Sequence, residues 1–239
     1  MINVQSLSYT YPTGVSALTN VSLSINAGET VGIIGPNGAG KSTLVNHLNG
    51  VLLPSSGSVA IDGIAVEKKS FENIRKKVGV VFQNPDDMLF MPRVIDDVLF
   101  GPLNLGMDEH AAHHAAEDAL HDLGLGDLAD RPPFTLSQGQ KRFAAIAAIL
   151  VMKPSMLVLD EPTSDLDPRN RKKLISLLNS MAMTRIIVSH DLDFVWDTCS
   201  RVILISHGTI AADGQCHTIL QDKVLLESND LELPLRLQQ

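Results

Sequence analysis

The chain has 239 residues, 44% of them hydrophobic, and carries 27 acidic against 19 basic side chains for a formal net charge of −8. That length accommodates one large domain or two closely packed lobes around an ordinary α/β core, and the acidic balance argues against a nucleic-acid-binding surface. Cys199 and Cys216, the only cysteines, lack metal spacing and are too few for a disulfide framework, which points to a reducing compartment.

In chain order, residues 2–10, 21–26 and 58–62 alternate or are β-branched and are bounded by Pro12, Gly14, Gly28, Gly57 and Gly63, which predicts three strands. Tyr11 stands in a Tyr-Pro turn, where an aromatic ring suits stacking on adenine and equally suits a half-buried turn tyrosine, as for Tyr9. Residues 31–34 read as a buried strand and 44–48 as a helix. Between them Gly35, Pro36, Asn37, Gly38, Ala39, Gly40, Lys41, Ser42 and Thr43 fit the phosphate-binding pattern G-x-x-x-x-G-K-[ST]. Such a loop curls its N–H groups round a phosphate chain at a helix N-terminus. Lys41 supplies positive charge for the β- and γ-phosphates and the Ser42 hydroxyl a ligand for Mg²⁺.

Short apolar runs follow at 78–82, 156–159, 186–188 and 202–205, as expected of a parallel sheet covered on both faces. Gln83 ends the first of these, where its amide can reach Mg²⁺ or an attacking water. Residues 108–123 and 138–152 have helical spacing and suggest a helical insertion, edged by Gly101-Pro102 and Arg131-Pro132-Pro133. In the first helix His110, His114, Glu117 and His121 share one face, as a polar stripe or a metal-binding one, with Ala111, Ala115, Ala119 and Leu123 opposite. Ser137 is a good N-cap for the second, and Leu136-Ser137-Gln138-Gly139-Gln140 presents a hydroxyl and helix-end N–H groups to an anion, or simply caps the helix. Asp160 ends the 156–159 strand, where P-loop proteins hold Mg²⁺, and Glu161 next to it is placed to polarise a water at the γ-phosphate. His190 ends the 186–188 strand, where it can contact the γ-phosphate or serve the fold alone. Residues after about 215 read as short helices with a Leu-rich end, either a contact surface or a packed terminus. The N-terminal residues lack the basic-then-apolar pattern of an export signal, and the longest apolar stretch, 143–152, is too short to span a bilayer, so a membrane role has to come through a partner.

Taken together, Tyr11, the 35–43 loop, Gln83, residues 136–140, Asp160-Glu161, Ser164-Asp165-Leu166-Asp167 and His190 resemble the ATPase subunit of ABC transporters over roughly residues 1–215. The resemblance implies an α/β P-loop NTPase core with a parallel sheet, an antiparallel β subdomain and an inserted α-helical subdomain near 90–152, followed by an extension at 216–239. It implies ATP and Mg²⁺ as ligands, and a head-to-tail dimer in which Ser137, Gly139 and Gln140 of one copy face the ATP on the other. The family usually has Gly where Gln138 stands. A finer resemblance, carried by 84–92, 96–106, His47-Leu48-Asn49-Gly50 and Ala212-Asp213-Gly214, is to energy-coupling factor importers, closest to their cobalt/nickel branch, with Met88 where Gln is usual. It implies a homodimer or heterodimer on the cytoplasmic face of the cell membrane, held peripherally by a membrane scaffold that docks near 83–97 and through it serves a substrate-binding subunit. The acids Asp86, Asp87, Asp96 and Asp97 would then meet Arg-containing scaffold helices. A vitamin importer shares most of these features. A soluble ABC ATPase acting on DNA or ribosomes would carry tandem nucleotide domains, a coiled-coil insertion or a basic surface.

Overall fold

In a computed structural model, residues 1–238 are described. The N-terminal part forms β1 (Ile2–Thr10), β2 (Ser16–Ile25), β3 (Thr30–Ile34), α1 (Lys41–Leu48), β4 (Ser56–Ile61), β5 (Ile64–Ala65), α2 (Phe71–Lys77) and β6 (Val78–Val81). Helices α3 (Val94–Asn104), α4 (Glu109–Asp122) and α5 (Gln138–Leu150) come next. The chain then alternates through β7 (Met156–Asp160), α6 (Pro168–Ser180), β8 (Thr184–Val188), α7 (Leu192–Thr198) and β9 (Arg201–Ser206), and closes with β10 (Thr209–Gln215), α8 (Cys216–Gln221) and α9 (Lys223–Glu227).

Two sheets result. One is antiparallel, in the order β2-β1-β4-β5, and the other runs β10-β9-β3-β8-β7-β6, parallel except for β10 at its edge. The period of two along a strand sends alternate residues to opposite faces. Met156 and Val158 join a core shared with the antiparallel sheet and α1, whereas Leu157 and Leu159 join the core under the later helices. Both faces are covered, which is why the parallel strands read as unbroken apolar runs. Every strand of that sheet from β3 to β9 ends its ladder on the same side, and the phosphate loop, Gln83, Asp160-Glu161 and His190 all follow strand ends.

Three sequence expectations change. Gly101-Pro102 does not edge the helical region but lies inside α3; a Cβ on Gly101 would come within 2.5 Å of Met152 Sδ, so the small residue lets α3 approach the end of α5. On α4 the centre of the buried face is Ala112, Ala116 and Leu120, one position round from Ala111, Ala115 and Ala119; Ala115 and Ala119 still pack partly against the core and Leu123 is buried just past the helix, while Ala111 is exposed. The His110, His114, Glu117 and His121 side chains are exposed, and no group of three metal-ligating side chains forms among the described residues. The docking-region acids are largely engaged: Asp86 pairs with Lys141 at 2.6 Å, Asp96 with Arg93 at 2.7 Å, and Asp97 is buried, accepting the Phe90 and Met91 N–H groups at 2.9 and 3.0 Å. What that surface presents instead is apolar, with Phe90 62% and Phe100 45% exposed and their rings edge to face.

No helix among the described residues is long and apolar enough to cross a membrane. Both thiols are free and buried, and burial pushes Cys199 up to about 12 and Cys216 to about 11, far from reactive thiolates. The terminal segment packs down through Leu226, Leu231 and Leu233, while Val224 and Leu235 stay exposed.

Candidate functional site

A cavity of about 730 Å³ opens at the strand ends, lined by Tyr11, Val15–Ala17, the whole 35–43 loop, Gln83, Asp160, Glu161, His190, Asp230 and Leu231. The loop's shape follows from its glycines. Gly35 and Gly40 hold φ of 149° and 105°, and a Cβ there would lie 2.0 Å from Ile205 O and 2.5 Å from Ala17 O, so no other residue fits without moving backbone. Gly40 is the N-cap of α1 and offers no side-chain cap, which leaves the first-turn N–H groups to an anion. Lys41 Nζ donates to Gly35 O at 2.7 Å and Pro36 O at 2.9 Å, fixing the ammonium in the mouth of the loop. Burial pulls the Lys41 pKa down while Glu161 and Asp160 oppose this, so the cation is held between a desolvated pocket and two carboxylates. Tyr11 packs edge-on to Tyr9 and its hydroxyl lies 3.0 Å from Thr43 Oγ1, which ties the β1–β2 turn to the phosphate helix.

The acidic end of the site is built by β7 and β8. Glu161 adopts φ 45°, an uncommon left-handed conformation for a residue with a Cβ, anchored by its N–H on Val188 O at 2.8 Å. Its carboxylate accepts the His190 N–H at 3.1 and 3.2 Å and the Ser189 hydroxyl at 3.3 Å, and lies 2.8 Å from His190 Nδ1. Burial raises the Asp160 pKa, the Ser42 hydroxyl bonded to it opposes, and the Glu161 charge adds to the rise. A carboxyl so placed gains from a cation. Ser42 and Asp160 offer hydroxyl and carboxylate oxygens, and Gln83 lines the same cavity. An all-oxygen, incomplete set of this kind fits Mg²⁺, which completes its shell with water and phosphate oxygens.

Ser137, Gly139 and Gln140 lie outside this cavity. Ser137 caps α5 through a reciprocal box: its hydroxyl accepts the Gln140 N–H at 3.3 Å, and Gln140 Oε1 accepts the Ser137 N–H at 2.8 Å. Ser137 and Gln138 are exposed, whereas Gly139 is buried against Asn170. Met88 has a local role, its sulfur accepting the Phe82 N–H at 3.3 Å. Sequence reasoning missed Asp230 and Leu231, which arrive at the cavity from the distant tail. It also missed Arg142, whose guanidinium donates to Phe82 O and Gln83 O. The signal for Arg142 was present, since it shares the buried face of α5 with Gly139 and Ile146 at helical spacing.

A phosphate loop opening a helix, a strand-end acidic pair beside it and a parallel sheet beneath define a P-loop nucleoside triphosphatase. A model of the ABC transporter family matches residues 18–164, and the chain belongs to that family as an ATP-binding, ATP-hydrolysing subunit. The energy-coupling factor transporter ATP-binding protein EcfA of Methanosphaera stadtmanae is 46% identical over 98% of this chain and 86% of its own length. The structure of cbiO1 from Clostridium perfringens, described as part of the ABC transporter complex cbiONQ, matches with a TM-score of 0.84 at 36% identity, over 95% of this chain and 93% of that one. The ATP-binding cassette MJ0796, solved as a dimer in a post-hydrolysis state with ADP and Pi, gives a TM-score of 0.82 at 29% identity, over 90% and 99%.

Proposed function

We propose that this ATPase powers an energy-coupling factor importer for cobalt or nickel, and that it works as a pair of cassettes with ATP held between them. The observation that carries the pairing is the exposed, capped N-terminus of α5: Ser137 offers a hydroxyl and helix-end dipole but lies outside its own chain's cavity, free to face a second chain. The dimeric state of the MJ0796 cassette supports the same arrangement. The names of the EcfA relative and of the cbiO1 structure support the transporter class, and the metal branch rests on the sequence resemblance.

In this reading Tyr11 stacks on adenine, the 35–43 amides and Lys41 hold the phosphates, and Ser42, Asp160 and Gln83 would hold Mg²⁺, which would supply positive charge beside the phosphates. Glu161 takes a proton from the attacking water as the γ-phosphoryl group leaves ADP, and His190 keeps that water and Glu161 in line. The partner's Ser137, Gly139 and Gln140 close the site, and loss of the γ-phosphate lets the two halves part. Residues 1–215 form the ATPase domain, with about 90–152 as its helical subdomain. The extension 216–239, of which Gln239 lies outside the described residues, contributes to pairing. A membrane scaffold docks near 83–97, its contact centred on the exposed Phe90 and continuing onto the exposed Phe100 and Leu103, and holds the ATPase peripherally on the cytoplasmic face.

Lys41→Ala removes the cation fixed in the loop mouth. Binding of a fluorescent ATP analogue by this variant should fall at least roughly tenfold, the loss of one charge-assisted contact, and unchanged affinity would sink the site assignment. Accumulation of labelled cobalt or nickel, against a labelled vitamin, in cells given back this subunit with its membrane partners decides the cargo.

A further inference from the structure

We propose that Arg142 is a positioning residue for ATP hydrolysis, one that locks the Gln83 turn to the start of α5 so that Gln83 and Ser137 move as one body. This rests on the reading of Gln83 as a ligand of Mg²⁺ or the attacking water.

Arg142 is only 2% exposed, and burial pulls its pKa down with only the Asp165 charge opposing. Among the described residues no carboxylate lies within ion-pair distance of it. Its partners are two backbone carbonyls: Nη1 donates to Phe82 O at 2.8 Å and Nη2 to Gln83 O at 2.6 Å. Nε has no partner among the described residues. A buried cation with neutral partners is a poor device for stability, so its value lies in geometry. β6 ends at Val81, so the carbonyls of Phe82 and Gln83 are the first without a strand to pair with. A rigid planar fork spanning two consecutive carbonyls leaves that peptide little freedom to rotate. Gln83 itself lines the cavity, as Ser42 and Asp160 do.

The other end of the lever is about one and a half helical turns away. Ser137 caps the helix that carries Arg142, and Lys141 beside it grips Asp86 in the same loop at 2.6 Å. When Ser137 meets the triphosphate on a neighbouring chain, the pull on α5 is delivered through Arg142 to the Gln83 peptide. The cavity's own metal-side residue thus reports whether the second chain has closed. The docking loop after Gln83 is held by the same two cations, so a displacement there reaches both places together.

The test is steady-state MgATP hydrolysis by the full chain, with KM, kcat and the Mg²⁺ concentration for half-maximal rate read separately. Arg142→Gln should lower kcat by roughly a hundredfold, the cost of a small misplacement at a reacting centre, and raise the Mg²⁺ requirement while KM for ATP stays within about threefold. Arg142→Lys, which keeps the charge and one donor, should recover part of the loss, and it serves if the Gln variant does not fold. In a Gln83→Ala background Arg142→Lys should add no further loss, because its effect passes through Gln83. Multiplicative, independent losses in the double variant overturn the inference alone, as does a joint collapse of ATP binding and turnover in Arg142→Lys. Full activity of Gln83→Ala by itself would overturn the Gln83 role and the inference with it.

Discussion

At Glu161 the backbone holds a strained φ of 45° and the side chain is pinned by the His190 N–H and the Ser189 hydroxyl. A glutamine of the same shape keeps its carbonyl oxygen as an acceptor for those donors but cannot take a proton. Glu161→Gln is therefore expected to fold normally and to hydrolyse ATP about 100-fold to 10,000-fold more slowly. Light scattering should then show an ATP-dependent dimer that persists, and a variant that stays monomeric with ATP would speak against the shared site. Glu161 and His190 were legible in the sequence because each stands at a strand end that local pattern locates. Their bonding was not. Nothing local to Glu161 announces that a residue 29 positions later will hold its carboxylate, and the acids at Asp96 and Asp97 read as free surface charge although one is paired and the other buried.

Helix α5 joins three tasks along one element. Its cap offers Ser137, its second turn grips the Gln83 turn through Arg142, and its remaining apolar face, from Phe143 through Ala148, fills the core. Gly139 lets α6 approach: a Cβ there would lie 2.4 Å from Asn170 Nδ2, and Asn170 cannot swing aside freely because it donates to Asp167 Oδ2 at 2.7 Å. Gly139→Ala should destabilise the chain by about 1–3 kcal/mol through overpacking, seen as a lower thermal midpoint. Gly139→Ala/Asn170→Gly should recover most of it, and an unshifted midpoint in the single variant would refute the packing argument. Helical period located α4 and α5, yet α3 escaped, because its Gly101-Pro102 pair mimics a break that packing against Met152 overrides. β10 escaped for the opposite reason: as an antiparallel edge strand it is only half covered and carries no apolar run.

Over the whole molecule, the tail returns to the nucleotide-binding face. Arg236 pairs with Asp193 at 2.7 Å and Asp197 at 2.8 Å and lies over Trp196, whose other neighbour is the stacked His217 ring. Asp230 and Leu231 reach the cavity just upstream of this anchor. Trp196 is the only tryptophan, so its emission reports whether the tail is seated. Arg236→Ala should red-shift that emission while lowering stability by no more than about 1 kcal/mol, since both pairs are partly solvent-exposed; emission identical to wild type would mean the tail is held elsewhere.

By itself the sequence located the parts and their order: a phosphate-loop pattern between a strand and a helix, carboxylates at strand ends and a helix start capped by Ser137, because each depends on contacts within a few residues. Only the tertiary structure decided what holds them in place. The Arg142 fork on Gln83, the pinning of Glu161 by the β8 end and the tail seated on Trp196 join residues 29 to 59 positions apart, and such pairings follow from how the sheets and helices stack, which no local pattern encodes.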